Sequence, residues 1–143
     1  MVQFVRLSAI ALSAVMLLFA APGCGDADVA RLAVVRGRVT YQGKTLTSGT
    51  IVFAPDALRG NNGPLATAAI QPDGSFDLHT GEALGAMPGW HRVTVVALEA
   101  GTGGQALAVP RSLLPDKYSD PDLSGLTCEV KPAQENSVAF DLD

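Results

Sequence analysis

His79 and His91 are the two imidazoles in this chain, and general-base or nucleophilic catalysis would need one of them beside a serine or cysteine, with a third group to orient it. No Gly-x-Ser-x-Gly elbow and no His-Glu-x-x-His zinc pair accompanies either histidine. His79, in "LHTG", falls at the end of a strand pattern and is expected to be exposed, whereas His91 falls on an apolar face. Gly43-Lys44-Thr45 has the ending of a phosphate loop, but Gly37 and Gly43 enclose one residue too many, and an alternating strand pattern runs straight into Gly43. A turn is the better assignment there. Asp116, Asp120 and Asp122 in "PDKYSDPDLSG" are candidates to supply oxygens to calcium, which takes six to eight hard ligands. Their spacing is not that of an EF-hand loop, and Asp and Pro in such a stretch more simply set turns. Trp90 and Tyr118 are candidates for contact with a partner. Trp90 alternates away from Val93 and Val95, so it is either exposed for contact or packed under the nearby "EAGTGGQALAV". No catalytic residue and no cofactor is assigned.

The other reactive group is Cys24. Arg6 precedes a charge-free run, Leu7 to Ala21, whose length matches the apolar part of a secretory signal better than the roughly 20 residues of a membrane-spanning helix. Small residues Ala20, Ala21 and Gly23 then lead to Cys24. The junction Ala21-Pro22-Gly23-Cys24 resembles the lipobox of bacterial lipoproteins, with Ala21 where that motif usually has Leu. The resemblance implies cleavage before Cys24 and acylation of its sulfur and amine. Two or more acyl chains give stable anchoring, at about 0.8 kcal/mol per buried methylene. Export also permits the alternative, a disulfide between Cys24 and Cys128, the only other cysteine. Residues 1–23 are thus expected to be a signal peptide and residues 24–33 a lipidated tether. The membrane, reached through the anchor, is the expected location and first partner.

Removing residues 1–23 takes away one charge, Arg6, so the side-chain balance moves from −4 to −5. No basic run exists, which argues against nucleic acid and against electrostatic attachment to anionic lipid. The positioning elements are strands. From residue 34 the dominant period is two: Val35, Gly37, Val39 and Tyr41 share a face, as do Ile51 and Phe53, then Ala66, Ala68 and Ile70. Phe76 and Leu78 follow an Asp-Gly turn signal, which predicts a hairpin with the preceding run. His91, Val93, Val95 and Ala97 make the next face, followed by Leu126, Cys128 and Val130, and by Val138, Phe140 and Leu142. Seven short strands with Gly and Pro punctuation and no helical period predict an all-β domain over residues 34–143, a seven-stranded antiparallel β-sandwich. Cys128 is expected to be a buried apolar residue.

The succession "VRGRVTYQGKTLTSGTIVFAP", "DGSFDL", "PGWHRVTVVA", "LLPDKYSDPDLSGLTCEVK" and "NSVAFDLD" resembles the carboxypeptidase-regulatory-like, transthyretin-like domains of small bacterial lipoproteins. The resemblance covers most of residues 34–143 and implies a prealbumin-like sandwich, usually a structural or binding module without a catalytic set. That family often has Tyr where this chain has His91. A transthyretin relative that hydrolyses hydroxyisourate carries a C-terminal Tyr-Arg-Gly-Ser signature, whereas this chain ends in "FDLD". The expected function is therefore a non-enzymatic, lipid-anchored module of the cell envelope, with an envelope protein or glycan as partner and no nucleotide. The alternative is an exported carbohydrate-binding or calcium-dependent adhesion module.

Overall fold

The computed structural model describes residues 31–99 and 110–143. Cys24, and with it the expected signal peptide and most of the expected tether, lies outside the described residues. The described chain is built of strands with two short 3-10 turns: β1 (Val35–Tyr41), β2 (Lys44–Thr45), β3 (Thr50–Pro55), β4 (Ala66–Ala69), β5 (Ser75–Asp77), β6 (His79–Thr80), β7 (Ala83–Leu84), β8 (Gly89–Val96), β9 (Leu126–Val130) and β10 (Asn136–Leu142). Each of the seven predicted runs contains a strand. The run that holds Phe76, Leu78 and His79 is divided into β5 and β6, and β2 and β7, of two residues each, come in addition.

Two sheets form. In the first, β10 lies along one side of β1, while β2 and β5 pair with successive parts of its other side. The second has the order β7-β6-β4-β3-β8-β9. Apolar side chains from both sheets meet in one core: Val35, Val39, Phe76, Phe140 and Leu142 from the first, with Ile51, Phe53, Val93, Val95, Cys128 and Val130 from the second. Phe53 bridges the sheets through ring contacts with Phe76 and Phe140, at centroid separations of 6.4 and 6.0 Å. This arrangement is compatible with an all-β sandwich. Alternation explains which residues are inside, because successive side chains of a strand point to opposite faces.

The pairing differs from the expectation at two places. The expected antiparallel sandwich contains a parallel pair: β1 and β10 run in the same direction, from Val35 opposite Asn136 to Tyr41 opposite Leu142. Alternation sets which face is buried and carries no information on direction; these strands are far apart in the chain, so no short hairpin forces them to be antiparallel. The expected hairpin is also divided. The turn before Phe76 does form, with Gly74 N–H donating to the Gln71 carbonyl at 2.8 Å, but β4 stays in the second sheet while β5 pairs with β1 in the first. The chain then crosses at Leu78, whose N–H donates to the Val35 carbonyl at 3.0 Å, and returns to the second sheet where His79 in β6 faces Thr67 in β4. A core residue with polar neighbours thus continues the alternation through a change of sheet. At the N-terminal side, Ala33 is buried and forms a two-bond bridge with Ala86, so the ordered domain includes the last residue of the expected tether.

Candidate functional site

Strand β8 carries opposite chemistry on its two faces. Toward the core, His91 is fully buried and its ring lies 5.7 Å from that of Phe53. Toward the outside, Trp90 is half-buried and Arg92 partly exposed. The segment after β3 closes over the start of β8. Asp56 N–H donates to the Trp90 carbonyl at 2.9 Å, and Asn61 Nδ2 donates to the same oxygen at 2.9 Å. Gly89, at φ 125°, makes this approach possible, because a Cβ there would meet the Asn61 side chain at 3.1 Å in a backbone conformation that other residues rarely adopt.

These bonds fix the state of His91. Asn61 Oδ1 accepts from Gly63 N–H at 3.2 Å, which orients the amide so that Nδ2 faces the histidine. Nδ2 reaches His91 Nε2 at 3.4 Å, and His91 Nδ1 lies 3.0 Å from the Gly89 carbonyl. A carbonyl can only accept, so Nδ1 carries the proton and Nε2 is the acceptor. A second proton on Nε2 would point at a donor. Burial holds the His91 pKa below the ordinary imidazole value, with the Gly89 carbonyl opposing it. His91 therefore fills the core position expected from the sequence, as a neutral ring with both nitrogens engaged. His79 is exposed, as expected, with Nδ1 3.0 Å from the Asp77 carbonyl.

On the outer face a charged cluster surrounds Trp90. Asp56 is buried; its carboxylate accepts from Leu58 N–H at 3.2 Å, which caps the 3-10 turn Ala57–Arg59. The same carboxylate lies 3.4 Å from Arg59 Nε and 3.5 Å from Arg92 Nε. Arg59 also lies over the Trp90 ring, 4.3 Å from its centroid, a cation–π geometry of about 0.5–1 kcal/mol at a surface site. Arg92 extends to an ion pair with Asp122. Between Asp56, Arg59, Arg92, Asp122 and Leu126 lies a shallow groove of about 270 Å³.

The other predicted residues divide clearly. Asp122 is brought to this groove, and Asp120 accepts from Asp122 N–H at 2.7 Å, which sets the turn. Asp116 opens the 3-10 turn Asp116–Ser119, where its carbonyl accepts from the Ser119 hydroxyl at 2.7 Å. Among the described residues, no group of three His, Cys, Asp or Glu side chains is placed to hold a metal ion. Tyr118 is a correction: it is 3% exposed and belongs to the core, so its ring face is closed to a partner. Its hydroxyl explains the burial, because it accepts from Asp143 N–H at 2.9 Å and donates to Asp143 oxygens, so the polar tip is satisfied at the end of β10. Cys128 is buried and free, and burial followed by the charge of Glu129 raises its thiol pKa. Asp56, Arg59 and Asn61 were not singled out from sequence. The signal was present in "PDALRG", an acidic cap three residues before an arginine and closed by Gly60 at φ 80°.

Comparison of the chain with family models, curated proteins and solved structures gave no match. The chemistry of the site rests on its own geometry. That geometry offers a half-buried indole with Arg59 over its ring, two guanidinium groups held in place by buried or turn-bound carboxylates, and a shallow groove lined by those arginines and carboxylates. Such a surface can bind planar or polar groups; its histidine is sequestered on the opposite face of the strand.

Proposed function

We propose that this chain is a non-enzymatic, lipid-anchored protein of the bacterial cell envelope, exported and held at a membrane through Cys24, whose transthyretin-like domain of seven principal strands binds or organises a partner. The observation that carries the reading is the Gly23-Cys24 junction after the charge-free run Leu7 to Ala21. One feature of the domain supports it. The polar groups around β8 are engaged in holding the Asp56–Asn61 segment on the strand, which suits a preformed contact surface. In cells, the wild-type protein is expected in the membrane fraction, and Cys24→Ala in the soluble fraction or as uncleaved precursor. Wild-type protein found wholly in the soluble fraction would overturn the anchor.

A second reading, an exported carbohydrate-binding module, is favoured by the outer face of β8. Indole and planar guanidinium and carboxylate groups together are the chemistry that sugar rings and hydroxyls meet. Trp90 is the single tryptophan, so a shift in its emission on titration with envelope glycans would favour this reading, and an unchanged spectrum with every glycan would remove it.

A further inference from the structure

Residue 31, where the described chain begins, stands at one particular end of the domain. Ala33 is bridged to Ala86, Val35 is opposite Asn136, and Gly89 at the start of β8 is opposite Val130 at the end of β9. The N-terminal stretch, the approach to β8 and the β9–β10 connection therefore meet at the same pole. Between them is a cleft of about 470 Å³ lined by Arg31, Leu32, Met87, Pro88, Pro132 and Ala133. Five of these side chains are apolar and the sixth is a guanidinium. Lys131 adds an exposed cation beside Pro132, while Glu135, two residues past Ala133, is tied to Arg36 at 3.3 Å.

Seven Cα-to-Cα steps, over the six intervening residues Gly25 to Ala30, separate Cys24 from Arg31. Fully extended they span about 25 Å, and as a flexible coil about 15 Å, so this pole is confined near whatever holds Cys24. Confinement on this scale gives an effective concentration in the millimolar range, at which a contact too weak to form between free partners becomes occupied. The mature chain is acidic overall, which is why its attachment cannot be electrostatic as a whole; the local combination of apolar walls and an arginine is what an interfacial contact uses. We infer that this pole docks on the surface of the bilayer that carries the anchor, with the cleft walls in the glycerol and upper acyl region and Arg31 at the lipid phosphates. The inference rests on the lipid anchor at Cys24. Its consequence is a fixed orientation: the domain stands on the membrane at the Met87–Pro88 end, with β8 rising from it.

Trp90 follows Pro88 by two residues and is the only tryptophan, so it reports on this pole. The full-length mature protein would be reconstituted in vesicles of phosphatidylethanolamine and phosphatidylglycerol brominated on their acyl chains, after mass measurement of Cys24. Trp90 emission is expected to be quenched, and Arg31→Glu with Pro132→Glu, both at exposed positions, is expected to lose most of that quenching while keeping the thermal midpoint. An acylated protein whose Trp90 is unquenched, or quenched equally in the double variant, overturns the docking and leaves the anchor intact. An unacylated Cys24 overturns the anchor, and the docking with it.

Discussion

His91 and Asn61 form the residue pair whose chemistry is most completely determined. A buried neutral imidazole with its proton on Nδ1 resists protonation because the charged form loses hydration and because Asn61 presents a donor to Nε2. The unfolded chain has no such restraint and titrates near pH 6.5. As pH falls below that value the unfolded state binds the proton first, so stability present above pH 6.5 is lost progressively until the lower folded pKa is passed. Asn61→Ala removes the donor from Nε2 and leaves the buried Trp90 carbonyl with one partner fewer. Its expected cost is about 1–3 kcal/mol at pH 8. It is also expected to flatten the decline below pH 6.5, because protonation at Nε2 meets less opposition. Urea melts of both proteins at several pH values measure both effects, and an unchanged pH slope in the variant would show that Asn61 does not govern the titration.

At the scale of strands, inward and outward faces were legible because one face of each strand is buried and the period is two. Val35, Ile51, Phe53, Val93, Val95, Cys128, Phe140 and Leu142 all lie where alternation puts them. Direction and sheet membership were not legible. Nothing in "VRGRVTY" or "NSVAFDL" encodes that β1 and β10 are parallel, and the Asp-Gly turn before Phe76 is equally suited to a hairpin and to a crossing between sheets. The outer face of β8 was half legible: Trp90 follows from alternation, whereas Asp56, Arg59 and Asn61 reach it through a loop. Tyr118 was misplaced because a loop has no period to reveal that its ring turns inward to the end of β10. Gly37 shows how pairing adds meaning to a residue that alternation leaves blank. A Cβ there would fall 2.4 Å from the Val138 carbonyl oxygen and 2.6 Å from the Phe76 ring, so the parallel partner and β5 both close in on a position that must stay empty. Gly37→Val is expected to destabilise the domain by about 3 kcal/mol or more, at or beyond the upper end for overpacking, read as a lower urea midpoint. A midpoint equal to wild type would mean that β1, β5 and β10 are not packed as described.

For the whole molecule, the proposed anchor would hold a domain whose histidine is hydrogen-bonded and whose thiol is buried, which leaves its outer surface for contact. The proposal gives Cys24 an acyl group, whereas Cys128 is buried and free, with a raised thiol pKa. The most direct measurement is mass spectrometry of the mature protein purified from membranes without reductant, resolving the N-terminal peptide and the peptide that contains Cys128. The expected result is an N-terminal peptide that begins at Cys24 and carries diacylglycerol, together with an unmodified Cys128 peptide. An N-terminal peptide that still begins at Met1, or a Cys24 joined by a disulfide to Cys128, would refute the lipid anchor.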